Sequence, residues 1–436
     1  MSFRNKFLLV LVSATLALYA VVGGWLATRA QQPINDAGAQ LRIFENVLKH
    51  IQEDYVDEPN LGKVRAGALR GLAYGLDPYS SYLTPEQVAD YQNKKSAGRV
   101  GIGAEVSQVS SYLWVISPIK GSPAEKAGLK SGDVIEYIGD KATRDISLYD
   151  ARQLLLGDPG TTVKLRVLRA GTKPQTLEVP RGTYKIPESE ARVEPNGKIG
   201  VLKVNSLEEG ESVDIKNHLL DLQKQGASKV VLDLRGVAAG SLQEAVNVAN
   251  LFIKDGTLAQ TLGKESKVIK NYTADPSKTV WNGQVAVLTD FGTASAAEVL
   301  AGSILDRKRG EVIGERTFGA GTEQQLFTMR DGDGLLLTTI KWALPSGKTI
   351  LTDDRKTSGI MPSIEVKRPE KPEPLDPEDL ADNENEPNPQ ATPDASPTPK
   401  ATPEAPKTPE DVQLNKALEV LRGANTAAAA TVNKTE

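Results

Sequence analysis

The sequence predicts a multidomain α/β protein. At 436 residues and 39% hydrophobic content, the chain is long enough to bury two or three hydrophobic cores. Apolar runs at residues 199–204, 230–234 and 285–289 alternate with helical patterns, as in a buried sheet covered by helices. A turn-rich segment at residues 100–181 precedes these runs, and a helical pattern at residues 37–92 comes before it. We therefore expect an α/β core preceded by a helical segment and a separate β-rich domain.

Composition excludes several classes of function. The net charge is −4 and the pI is near 5.6, so no nucleic-acid partner is expected. The absence of cysteine excludes disulfides, thiolate nucleophiles and cysteine-bound metals. The two histidines, His50 and His218, lie in charged helical stretches, where a solvated or half-buried structural role is expected. Clusters of metal-ligating residues at ligand spacing are also absent, so neither a metal nor an organic cofactor is implied.

The first 30 residues are typical of an export signal. Arg4 and Lys6 precede an almost uncharged run over residues 7–27. That run approaches the roughly 20 residues that span a bilayer. We expect an uncleaved signal anchor in the inner membrane, with cleavage near residues 28–30 as the alternative. In both cases the body of the protein is predicted on the extracytoplasmic, periplasmic side, because the positive end stays inside.

A helical segment is predicted over residues 36–95. Apolar residues recur at helical spacing in its first part, for example Leu41, Phe44 and Leu48. A second helix should begin at Thr84, which suits an N-cap position and is followed by proline. Gln87 stands three residues after this cap, where a capping box requires glutamate or glutamine.

A β-rich domain is predicted over residues 98–182. Its signature is the run GSPAEKAGLKSGDVI at residues 121–135, preceded by Gly101, Ile102 and Gly103. This pattern resembles a PDZ domain. The resemblance implies that these three residues form the loop that binds a peptide's terminal carboxylate, because glycines let successive backbone N–H groups converge. The strand that follows would accept the peptide as an added strand.

The remainder of the chain divides at two changes in composition. Residues 183–366 carry the alternating strands and helices of the core. Residues 367–410 are crowded with Pro, Glu, Asp, Asn and Thr, and we expect a disordered linker that cannot bury a core. Residues 411–423 form a short amphipathic pattern with too few turns to be stable alone, so we expect this helix to dock on the body.

Two motifs in the core carry the candidate chemistry. Ser295 lies in the run FGTASAAE at residues 291–298, and GERTFGAGTEQ follows at residues 314–324. These motifs resemble the carboxyl-terminal processing (tail-specific) serine peptidases. In that family a serine nucleophile in G-[ST]-A-S-A-x-E is activated by the lysine of F-G-K-G, and a glutamine orients the lysine. The resemblance assigns the nucleophile to Ser295 and the glutamine to Gln324, but the lysine position is Ala320.

The same resemblance implies the rest of the architecture. The core is expected to have the ClpP/crotonase-like peptidase fold, with the PDZ domain inserted as a β-barrel-like unit. The oxyanion hole is assigned to backbone N–H groups of Ala239, Gly240 and Ala296. Where the family reads D-L-R-x-N-P-G-G, this chain has DLRGVAAG at residues 233–240. Ala239 would alter that turn if its position required a positive φ. Arg235 is equally suited to a structural salt bridge.

The sequence leaves two functional interpretations open. One is an extracytoplasmic serine endopeptidase whose PDZ domain binds substrate C-termini, with Lys341 or Lys348 as a candidate replacement base. The other is a catalytically inactive pseudopeptidase that binds C-termini as an adaptor or scaffold. The two departures, at Ala320 and Ala239, favour natural divergence, and an introduced Lys→Ala change is the alternative. Polypeptides, a membrane and a possible homo-oligomer are the expected partners.

Overall fold

A computed structural model of the chain describes residues 37–94, 100–195, 198–368 and 410–432, with a few positions before them (3, 7, 12–15 and 17–19). The predicted anchor lies largely outside these residues, and so does most of the predicted linker. The chain separates into two units, residues 1–68 and 69–436. In the described part, no helix combines the length and apolarity needed to cross a bilayer.

The helices and strands of the described residues are as follows. The helices are α1 Ala37–Asp54, α2 Leu61–Tyr74, α3 Pro85–Lys94, α4 Pro123–Lys126, α5 Leu148–Leu155, α6 Glu211–Lys224, α7 Leu242–Phe252, α8 Ala296–Asp306 and α9 Val412–Val432. The strands are β1 Ser81–Leu83, β2 Ala104–Val109, β3 Tyr112–Pro118, β4 Val134–Ile138, β5 Lys141–Ala142, β6 Thr162–Leu168, β7 Gln175–Pro180, β8 Glu190–Val193, β9 Ile199–Lys203, β10 Lys229–Asp233, β11 Thr257–Leu262, β12 Val268–Thr273, β13 Gln284–Thr289, β14 Glu311–Gly314, β15 Thr322–Thr328, β16 Gly334–Ala343 and β17 Ile364–Glu365.

The core is built on a six-stranded sheet in the order β17-β14-β13-β10-β9-β8. The neighbouring pairs from β17 to β9 are parallel, and only the edge strand β8 runs antiparallel to its neighbour. Parallel strands are buried on both faces and therefore read as continuous apolar runs. The three runs that the sequence predicted as strands correspond to β9, β10 and β13.

Each face of this sheet has its own helical cover. On one face, Leu202, Val230 and Val287 pack with α6, α7 and α8. On the opposite face, Val231 and Leu288 pack against α9. The α9 residues in this contact are almost completely buried: Ala417, Leu418 and Leu421. The helix expected at residues 411–423 thus docks on the core, and it extends to Val432.

A second, antiparallel sheet joins the core to the segment before the β-rich domain. Its order is β1-β16-β11-β12, with β15 also paired to β16. Ser81 of β1 lies opposite Leu336 of β16. The sequence did not predict this sheet. Because β1 belongs to it, the turn at Asp77–Ser80 is brought beside β15 and β16.

The remaining elements agree with the local signals. The β-rich domain has the strand order β2-β3-β4-β6-β7, with β5 paired to β4, so β2 is an edge strand.

Helix α3 has the expected capping box, since Thr84 N–H donates to Gln87 Oε1 (3.0 Å) and Gln87 N–H donates to Thr84 Oγ1 (3.4 Å).

Candidate active site

Ser295 occupies a strained turn between β13 and α8. It is the N-cap of α8 and has φ 57° and ψ −120°. Positive φ is uncommon for a residue other than glycine, and such strain is characteristic of functional sites. The first N–H groups of the helix have no intrahelical partner and carry the positive end of the dipole. The sequence predicted the turn and the helix start, but gave no signal for the backbone strain.

The buried carboxylate of Glu298 joins this turn to the loop that contains Ala320. Its Oε2 atom accepts hydrogen bonds from the backbone N–H of Ser295 (2.9 Å) and of Ala320 (2.7 Å). Its Oε1 atom accepts from Gly319 N–H (2.7 Å) and from the Thr317 hydroxyl. Burial raises the pKa of Glu298 to about 7, although the four hydrogen bonds act in the opposite direction. One side chain therefore holds the two predicted catalytic motifs together.

Position 320 offers no proton acceptor. Ala320 is half-buried beside Phe318 and carries only a methyl group. Arg355 lies next to it, with its guanidinium 3.9 Å above the Phe318 ring and Nη1 donating to Gly319 O at 3.3 Å. An arginine stays protonated and cannot act as a base. A lysine at position 320 would lie near this like charge, which favours the neutral amine.

Gln324 lies on β15 rather than in the loop. Its Nε2 atom donates to the hydroxyls of Thr322 (2.9 Å) and Thr338 (3.2 Å). Thr338 in turn donates to Asp77 Oδ1 at 3.0 Å. The turn before β1 therefore positions the Gln324 amide. The connection between Asp77 and Gln324 was not predicted from the sequence.

The two lysines considered as substitute bases are engaged elsewhere or exposed. Lys341 Nζ lies 3.4 Å from Asp353 Oδ1, and its side chain is 40% exposed. Lys348 is exposed. In the described part of the chain, neither lysine makes a hydrogen bond to Ser295. The geometry gives no support to a migrated base.

The predicted oxyanion turn (residues 236–240) lies directly against the turn at residues 290–295 that contains Ser295, here called the nucleophile turn. Ala294 N–H donates to Val237 O at 2.9 Å, which connects the two. Positive φ occurs at Gly236 (75°) and Gly240 (145°), and not at Ala239. A Cβ on Gly240 would lie 2.5 Å from the Leu207 carbonyl oxygen. Ala239 is therefore compatible with the turn, because its position does not require a positive φ.

The predicted carboxylate loop borders a cavity of about 300 Å³. Gly103 has φ 74°, and a Cβ there would lie 2.4 Å from Ser122 Cβ, so glycine is required. The carbonyls of Ile102 and Gly103 are used inside the domain, accepting from the N–H groups of Ala124 and Ile119. Residues of β2 and α5, between which an added strand would lie, form part of the remaining lining, and Ile119 and Tyr184 also contribute to it. Arg152 of α5 also faces this cavity and donates to Val106 O at 2.9 Å.

One face of the β-rich domain packs directly on the predicted catalytic loops, which contain Gly240, Ser295 and Ala320. Trp114 of β3 forms an apolar cluster with Ala294 and Phe318. The Ser117 hydroxyl donates to Gly236 O at 2.9 Å. The cavity beside Gly101–Gly103 and the predicted catalytic loops thus belong to one continuous packed structure.

Comparisons with known proteins agree with this architecture. A family model described as peptidase family S41 matches residues 198–366, and a PDZ-domain model matches residues 114–169. A probable CtpA-like serine protease of Staphylococcus haemolyticus (strain JCSC1435) is 32% identical over 364 residues, covering 83% of this chain and 71% of that protein. The chain belongs to peptidase family S41. A similar relative from Staphylococcus aureus (strain N315) is 33% identical over 372 residues, covering 84% and 73%.

A solved structure also resembles this S41 member. The photosystem II D1 C-terminal processing protease matches with a TM-score of 0.63 and 28% identity, over 74% of this chain and 86% of that chain. The predicted fold and the predicted relation to serine peptidases with a PDZ domain are therefore confirmed. The roles of individual site residues and the domain boundaries stay predictions.

Each of the two histidines lies on a helix, as the sequence predicted. His50 Nδ1 lies 2.6 Å from Asp54 Oδ2 on the exposed side of α1. His218 is half-buried on α6. Both positions agree with the structural role expected from their charged helical surroundings.

Proposed function

We propose that the protein is an extracytoplasmic serine-type endopeptidase of the C-terminal processing class. The observation that carries this proposal is the strained N-cap position of Ser295, whose N–H shares one Glu298 oxygen with Ala320 N–H in the loop at residues 315–321, here called the base loop. The PDZ domain binds the C-terminus of a polypeptide, and the chain continues to Ser295. Backbone N–H groups of Ala239 or Gly240 and of Ala296 stabilise the oxyanion as the acyl-enzyme forms.

The difficult step is removal of the proton from the Ser295 hydroxyl. A neutral lysine amine would accept it, and the Ala320 methyl group cannot. Loss of one member of a catalytic triad leaves a serine protease with roughly 10³–10⁴-fold rate enhancement over water, from the oxyanion hole and binding. We therefore expect Ser295 to react slowly in this chain.

A second candidate function follows from Ala320 itself. The same fold without a base is a pseudopeptidase that captures C-termini as an adaptor or scaffold. Two features favour this second function: the cavity bordered by Gly101–Gly103, and the half-buried methyl group at position 320. This candidate differs from the first only in turnover.

Cleavage assays separate the two candidates. The substrate is an unfolded polypeptide with an apolar C-terminus, and the enzyme is the chain from residue 31 onwards, as written or carrying Ala320→Lys or Ser295→Ala. Cleavage by the unaltered chain that disappears in Ser295→Ala supports the peptidase and refutes the pseudopeptidase. Cleavage by Ala320→Lys alone supports the pseudopeptidase. No cleavage by any of the three contradicts the assignment of Ser295 as a competent nucleophile.

The proposed location rests on the charge and hydropathy of residues 1–30. Residues 7–27 would anchor the protein in the inner membrane, with the remainder on the periplasmic side. Carbonate extraction of isolated membranes and, in a separate sample, protease treatment of intact spheroplasts test this location. Recovery in the soluble fraction together with protection from the protease contradicts it.

A further inference from the structure

The start of α9 forms a bidentate ion pair with the residue that precedes the oxyanion turn. Arg235 Nη1 and Nη2 donate to Asp411 Oδ1 and Oδ2, each at 2.8 Å. The same guanidinium donates to Asp233 at 2.8 and 2.7 Å, and its side chain is 15% exposed. Burial alone would raise the pKa of Asp411, but its bonds to Arg235 hold that pKa below the ordinary value. Paired planar groups of this kind fix orientation as well as distance.

Gln413 extends the contact towards the base loop. Its side chain is fully buried. The Oε1 atom accepts from Arg235 Nη1 (3.2 Å), while Nε2 donates to Val366 O (2.8 Å) and to Glu315 Oε1 (3.3 Å). Glu315 is the first residue after β14. One amide of the C-terminal segment therefore bridges the strand ends that lead into two different catalytic loops.

The network closes through the nucleophile turn. Arg368 donates to Glu315 Oε1 (3.0 Å) and to Asp290 Oδ2 (2.8 Å). Asp290, the residue after β13, accepts the N–H of Gly236 at its Oδ1 atom (2.9 Å). The residues that follow β10, β13 and β14 are thus joined to each other and to the beginning of α9. These strand ends lead to Gly240, Ser295 and Ala320.

Docking of an apolar helix does not account for this polar network. The buried face of α9 already holds the helix on the sheet through Leu418 and Leu421. Burying charged groups costs free energy unless they are fully paired, and apolar replacements are often as stable. A polar network at one end of an otherwise apolar interface therefore suggests a specific geometry at that end, where the catalytic loops begin.

We propose that Asp411 and Gln413 are positioning residues, through which the C-terminal segment completes the active site by fixing the oxyanion turn and the base loop. This inference rests on the proposed function for its catalytic consequence, but its structural claim stands independently. Neither residue touches the reacting atoms. They act through Arg235 and Glu315.

The sharpest variant is Asp411→Asn in the full chain. Asp411 Oδ1 also accepts Leu414 N–H at 3.0 Å and so caps α9. Asparagine caps a helix about as well as aspartate, but it has one acceptor oxygen and no charge. The variant removes the bidentate pair and leaves the cap. The control is Glu419→Gln on the same helix, at a side chain that is 69% exposed and pairs with Lys416.

Hydrogen exchange followed by mass spectrometry tests whether Asp411 fixes the oxyanion turn and the base loop. In Asp411→Asn, exchange in residues 236–241 and 316–321 should accelerate about tenfold, equivalent to 1.4 kcal/mol of lost protection. Strand β6 serves as the internal reference and should not change, and Glu419→Gln should match the unaltered chain. Unchanged exchange in both loops overturns the proposal, even if α9 itself exchanges faster. Acceleration in both loops but not in β6 supports it.

The catalytic consequence is measured in the Ala320→Lys background. Adding Asp411→Asn should lower kcat about tenfold and leave KM unchanged, because loop geometry affects the transition state and the peptide groove is untouched. Equal kcat values would contradict a positioning role. If Ala320→Lys shows no turnover, the proposed function fails, while the hydrogen-exchange result still decides the role of Asp411.

Discussion

At the scale of single residues, Glu298 is the group on which the candidate site depends most. It is fully buried and accepts hydrogen bonds from the backbone N–H groups of Ser295 and Ala320. Its pKa rises from an ordinary 4.5 to about 7 because burial disfavours the charged form. Between these two values the folded protein holds a proton that the unfolded chain has released. The free energy of unfolding should therefore fall as pH rises from 4.5 to about 7.

Glu298→Gln tests this role. Glutamine does not titrate, so the part of the pH dependence due to residue 298 should disappear. At pH 8 the variant should be less stable by about 1–3 kcal/mol, because its NH₂ group faces N–H donors in a buried site. Urea unfolding at a series of pH values measures both effects. An unchanged pH profile would show that Glu298 is ionised throughout.

In the oxyanion turn, we expect Gly240 and Ala239 to differ in their tolerance of substitution. Gly240→Ala should destabilise the core by about 1–3 kcal/mol, because φ there is 145° and the added Cβ would meet the Leu207 carbonyl. Ala239→Gly is the matched control and should change stability by less than about 1 kcal/mol. Equal effects in urea unfolding would contradict the described backbone of this turn.

At the scale of secondary structure elements, the sequence predicted those strands whose burial gives a clear apolar pattern. Strands β9, β10 and β13 were predictable because both of their faces are buried. The sheet formed by β1, β11, β12, β15 and β16 was not, since β1 is only three residues long and β12, β15 and β16 are partly exposed, which weakens their patterns. The φ of Ser295 and the link from Asp77 to Gln324 were also missed, because both depend on contacts between segments distant in sequence.

The docked helix α9 gives a prediction about stability. Leu418 is 5% exposed against the central sheet. Leu418→Ala should lower the free energy of unfolding of the core by about 2–5 kcal/mol, through lost burial and the cavity left behind. The adjacent exposed residue provides the control, since Glu419→Ala should lie within about 0.5 kcal/mol of the unaltered chain. Similar urea midpoints for the two variants would mean that α9 does not contribute to the core.

At the scale of the whole molecule, the cavity beside Gly101–Gly103 and the predicted catalytic loops belong to one packed structure. Peptide binding at the cavity can nevertheless be tested separately from the reaction at Ser295. Leu156 lines the cavity, 40% exposed, and its Cδ2 atom would lie 2.9 Å from a Cβ on Gly101. A charge placed there faces the predicted carboxylate loop without disturbing the domain's core. This position therefore reports whether a peptide carboxylate binds beside Gly101–Gly103.

Leu156→Glu should weaken binding of a peptide with an apolar, free C-terminus about tenfold relative to Leu156→Gln, a side chain of the same length without charge. An amidated peptide should bind weakly to both variants and show no difference between them. Isothermal titration calorimetry gives the affinities. Equal affinities of the free-carboxylate peptide for Glu and Gln would place its terminus elsewhere.

The central claim is that Ser295 is placed as a nucleophile and that Ala320 alone limits it. The most direct measurement is the rate at which a fluorophosphonate modifies Ser295, followed by intact mass, in the unaltered chain and in Ala320→Lys. General-base catalysis contributes about 10²–10⁴-fold, so Ala320→Lys should react faster by that factor, and Ser295→Ala should not react. Equal rates for the unaltered chain and Ala320→Lys would contradict the claim.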